Sequence, residues 1–114
     1  MEFFRACAAR LRPGGLMCTW APTRRVAASV RLAFPWVLVP RDRSFLLGSN
    51  EPVALDAAAW LTRAGAPEVA RYLGPSTSAE LARSLARLMP LPPAEPGEPE
   101  PNRDLYPRDE FLAP

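Results

Sequence analysis

Residues 16 to 47, LMCTWAPTRRVAASVRLAFPWVLVPRDRSFLL, decide the fold. Leu16 to Trp20 is a short apolar run without alternation, the pattern of a strand buried on both faces in a parallel sheet between helix layers. Pro22 suits the first turn of a helix from about Thr23 to Phe34, with Val26, Val30, Ala33 and Phe34 on one side. Pro35 ends that helix, Trp36 to Val39 reads as the next strand, and Ser44 to Leu47 as a third. The turn Pro40-Arg41-Asp42-Arg43 makes the last two strands antiparallel, because a parallel return needs a long crossover.

Upstream, Phe4, Cys7, Ala8 and Leu11 recur at i, i+3, i+4, i+7, one face of an amphipathic helix. That helix starts in phase and without a capping residue, which predicts that it closes something longer. Pro13 stops it, and Gly14-Gly15 supply the positive φ of a turn. The order helix, strand, helix, strand, strand predicts the closing half of an α/β sheet. Downstream the pattern is helical. Asp56 caps a helix through Trp60, Leu61 and Ala64 that Gly65 ends, Pro67 starts a short one, and Thr77-Ser78-Ala79-Glu80 reads as a capping box before a Leu81, Leu85, Leu88 stripe. Positions 90 to 101 hold six Pro and three Glu, the composition of an extended, solvated linker. Residues 102 to 114 form an acidic tail that regains Leu105, Tyr106, Phe111 and Leu112.

Length and composition narrow the function classes. The chain has 114 residues, 48% hydrophobic, enough for one domain with a core. Arg or Pro interrupts every apolar run before it could span a bilayer, and the first residues lack the pattern of a secretory signal. With two cysteines and no histidine, neither a four-ligand zinc site nor a His-based triad is expected, and acid or base work would fall to Asp, Glu, Tyr or Cys. Residues 1 to 89 hold twelve arginines against six acids, and residues 90 to 114 two against six. The arginines are scattered and not interleaved with aromatics, so a nucleic-acid partner is not expected.

Four places invite a chemical reading. Gly14-Gly15 lies in a helix-to-strand turn, the wrong side for a phosphate loop, and reads as structural. Cys7 and Cys18 read as small buried apolar residues. Asp42 reads as part of a solvated ion cluster with Arg41 and Arg43. The carboxyl end of the first strand is the fourth. Ligands of open α/β sheets sit beyond such ends, so Thr19, Trp20 and Pro22 are candidate rim residues of a substrate cleft, the other reading being that Trp20 packs under the following helix.

At Glu2-Phe3-Phe4, Leu11-Arg12-Pro13-Gly14-Gly15-Leu16, Trp20-Ala21-Pro22, Phe34-Pro35-Trp36-Val37-Leu38, Leu47-Gly48-Ser49 with Pro52, and Asn102 through Phe111, the chain resembles the C-terminal part of the spermidine synthase-like family of aminopropyltransferases, above all bacterial members fused to membrane-spanning segments. The resemblance implies a methyltransferase-type Rossmann-like α/β domain closing in residues 1–48, a helical extension in 49–89, the linker in 90–101 and the tail in 102–114. It implies decarboxylated S-adenosylmethionine or S-adenosylmethionine as cofactor of a full-length member and a cytoplasmic location. The family's glycine-rich nucleotide loop, ribose-binding acid and catalytic Asp lie upstream of the Glu-Phe-Phe helix and have no counterpart in residues 1 to 114, so no catalytic residue is assigned. The expectation is a C-terminal piece of an aminopropyl transferase acting on a polyamine, inactive alone, whose partner is the missing N-terminal half or a second copy. The alternative is a non-catalytic α/β interaction module with an acidic Pro-rich tail.

Overall fold

The structure is a computed structural model that describes residues 1–20, 23–54 and 56–103. It is a mixed α/β fold: α1 (Glu2–Arg10), β1 (Met17–Trp20), α2 (Arg24–Ala33), β2 (Trp36–Val39), β3 (Phe45–Ser49), α3 (Ala57–Ala64), α4 (Pro67–Leu73), α5 (Pro75–Leu85) and β4 (Met89–Pro90). The sheet order is β1-β3-β2-β4, and every hydrogen-bonded pair is antiparallel.

Local chemistry sets the boundaries. Thr23 caps α2 by accepting from the Val26 amide, and Phe34 closes it before Pro35. Asp56 caps α3 through the Ala59 amide at 2.9 Å and Gly65 ends it, as the sequence predicts. The capping-box expectation fails for α5, which opens three residues earlier, at Pro75 with Gly74 as N-cap. Proline at the first helical position already has a helical φ and no amide to satisfy, so it takes precedence over Thr77.

One face of the sheet carries the core. Register places Met17 opposite Gly48, Gly48 opposite Val37, and Thr19 opposite Leu46. Against this face α2 sets Val30 and Phe34, which with Val39 and Leu46 form the buried cluster that α1 covers through Phe4, Cys7, Ala8 and Leu11. The loop after β3 then locks the entry to β1. Asn50 Nδ2 donates to the Ala8 carbonyl at 2.7 Å, and the Gly14 amide, at φ 70°, donates to Glu51 Oε2 at 3.0 Å.

Two expectations are corrected. β1 is not a doubly buried parallel strand: its burial alternates, and Cys18, expected inside, is exposed. It occupies one end of the sheet order and pairs antiparallel with β3. Residues 90–101 keep Pro93 to Gly97 exposed but are not the free linker expected, because the segment is tied down at several points. The Leu91 amide donates to the Val37 carbonyl at 2.8 Å, Arg25 to the Glu100 carbonyl at 2.9 Å, and the Asn102 amide to Ser29 Oγ at 3.0 Å. The segment is a strap across α2. Among the described residues no helix is long and apolar enough to cross a membrane.

Candidate functional site

The predicted rim is only partly assembled. Thr19 and Trp20 end β1 and, being adjacent in a strand, project to opposite faces. Thr19 is half-buried on the helix-covered face, its hydroxyl donating to the Trp20 carbonyl at 3.2 Å. Trp20 is 73% exposed, which overturns the reading that it packs beneath α2. Pro22 lies outside the described residues. Cys18 shares the Trp20 face, and partial burial pushes its thiol above the ordinary value, so it has little thiolate at neutral pH. Cys7 packs half-buried against the core.

Among the described residues no ion pair joins Asp42 to Arg41 or Arg43. Its carboxylate accepts from the Ser44 amide at 3.1 Å and the Ser44 hydroxyl at 2.8 Å, bonds that hold its pKa below the ordinary 3.8. Because the charged form is the one hydrogen-bonded, the contribution to stability is present above pH about 4 and fades as pH falls through the lowered value. Replacing Ser44 with alanine is expected to move the Asp42 titration upward in a carboxyl-detected NMR series, and an unmoved midpoint would show that the backbone amide alone sets it.

Two depressions are lined by residues other than Thr19 and Trp20. The open cleft of about 300 Å³ between the β2–β3 turn and α5 is lined by Arg41, Arg83 and Arg87 with Asp42 and Glu80. A more enclosed cavity of about 200 Å³ lies between α2, the sheet and the strap, with Val39, Leu46 and Leu91 as its apolar lining and Arg24, Arg31 and Arg43 around it. Its acids come from the strap: Glu98 pairs with Arg31, and Glu95 stands 3.6 Å from Arg24. Sequence reasoning missed this cavity because it placed the strap in solvent, although the basic α2 and the acidic 90–101 segment already signalled the pairing. Among the described residues no three metal-ligating side chains come together. No family model, no curated protein and no solved structure matches this chain.

Proposed function

We propose that this chain is the closing half of a spermidine synthase-like transferase, contributing the substrate-side rim of a cleft whose S-adenosyl ligand and catalytic acid are held by an upstream half. The observation that carries the reading is the β1-α2-β2 unit. Both strands run antiparallel to β3, hence parallel to each other, and a helix joins them, which is the building block of doubly wound nucleotide-binding sheets. The antiparallel β3 between them is the terminal hairpin strand that the closing half of such a sheet requires. β1 has β3 as its sole strand partner among the described residues, leaving one edge open to a further strand.

In this reading Thr19, Trp20 and Pro22 border the polyamine side of the cleft on the cytoplasmic face of a membrane-fused protein. Aminopropyl transfer needs the amine nitrogen in line with the carbon it attacks and an acid to take its proton. In this reading the chain supplies walls for the first task, and the upstream half supplies the acid for the second.

The test is the intact mass of the native product, captured with an antibody to residues 102–114. A polypeptide well above the 12.5 kDa of this chain is expected. A product of 12.5 kDa, or micromolar binding of S-adenosylmethionine to the isolated chain in calorimetry, overturns the reading in favour of the interaction module. A second consequence follows from the open edge. The isolated chain is expected to self-associate in sedimentation, and Trp20→Lys to return it toward monomer, since a charged residue at an edge blocks pairing with another sheet.

A further inference from the structure

The cavity between α2 and the strap is lined by neither Thr19 nor Trp20, although it borders the end of β1 through Leu46, the cross-strand partner of Thr19, and through Thr23. We propose that it binds a small aromatic carboxylate. Three independent features converge on it. Its apolar part, Val39, Leu46 and Leu91, faces a space of about 200 Å³, and an apolar cavity of ~150 Å³ is enough to take benzene, so one ring with a carboxylate attached fits the size.

Charge selects the sign. Three arginines and two glutamates line the cavity, leaving one positive charge, which one carboxylate neutralises and a phosphate dianion would overshoot. Arg31 is committed to Glu98 and the Pro92 carbonyl, and Arg24 to an exposed pair with Glu95. Arg43 is the lining cation with no acid partner among the described residues. The cavity also reaches Thr23 and Arg24 at the amino end of α2, a ten-residue helix with no acid in its first turn, so the helix dipole adds to the attraction.

Backbone conformation supplies the third feature. Arg43 has φ 55°, a left-handed conformation that glycine or asparagine adopts at lower cost. The fold holds an arginine there, and the strained residue lines the cavity. A guanidinium at the cavity wall can bond a carboxylate through its fork, with the ring against the half-buried Leu91.

The experiment is a ¹⁵N-resolved NMR titration of the full chain with benzoate, with benzamide as the neutral probe of the same shape. Benzoate is expected to shift the amides of Arg43, Leu46 and Leu91 saturably, with benzamide binding at least about tenfold more weakly. Arg43→Asn, which suits the left-handed turn, is expected to keep the melting temperature and bring benzoate down to the level of benzamide. Arg24→Gln provides a second charge deletion that leaves the turn untouched. Equal responses to the two probes, shifts scattered outside the cavity, or unchanged benzoate affinity in both variants overturns the proposal.

Discussion

Replacing Gly48 with valine is expected to abolish cooperative folding, and replacing it with alanine to cost about 3 kcal/mol, the upper end of the overpacking range. A Cβ built at Gly48 falls 2.6 Å from Phe34 Cδ2 and 2.7 Å from Cγ, far inside van der Waals contact. The ring cannot swing away, because Phe34 is 2% exposed and shares the core with Val30, Val39 and Leu46. Alanine suits a strand better than glycine by only about 0.5–1 kcal/mol, so the clash decides the sign. Urea unfolding followed by tryptophan fluorescence measures the loss. Phe34→Leu in the Gly48→Ala background should recover part of it by removing the ring that collides. An alanine variant as stable as the parent would mean that β3 and α2 are not pressed together at this point.

Arg31→Met is expected to cost about 2 kcal/mol and to loosen the strap. The guanidinium is bonded to the Glu98 carboxylate and donates to the Pro92 carbonyl at 2.9 Å, so one side chain ties α2 to two points of the 90–101 segment. Exposed pairs contribute about 0–1 kcal/mol, whereas breaking a buried pair costs about 3–5. With side chains 24% and 18% exposed this pair falls between, and solvent screening lowers the higher figure. The asymmetry is the sharper test. Either single change, Arg31→Met or Glu98→Gln, leaves a half-buried group unpaired, while Arg31→Met with Glu98→Met removes both charges and should lose less than the sum of the singles. Hydrogen exchange at Leu91, whose amide is bonded to Val37, reports strap release directly. A single-variant loss below about 0.5 kcal/mol would class the pair with ordinary surface contacts.

Which elements the sequence discloses follows from how local their causes are. Helix α2, the β2–β3 hairpin, the Asp56 cap and the α1 face of Phe4, Cys7, Ala8 and Leu11 each depend on residues within one or two turns of one another, so periodicity, prolines and capping groups suffice to find them. Buried status depends on what arrives from elsewhere. Leu16 to Trp20 looks like an interior strand by hydropathy, yet the order β1-β3-β2-β4 puts it at an end, where the side chains of Cys18 and Trp20 stay exposed. The candidate rim was legible as a strand end, and the opposite facing of Thr19 and Trp20 with it, but the tertiary fold decided which of the two meets the helices and which stays exposed.

The strap and its cavity belong wholly to the tertiary level. Twelve residues with six prolines lack the amides for a long ladder or helix, so composition assigns them to solvent. Its docking is decided by carbonyls and carboxylates meeting Arg25 and Arg31 some seventy residues away in the chain. By itself the sequence determined the elements and the turns between them, whose energies come from neighbours along the chain. Only the tertiary structure decided strand order, which faces stay open and where the acidic strap lies, because those depend on contacts between segments that no local pattern encodes.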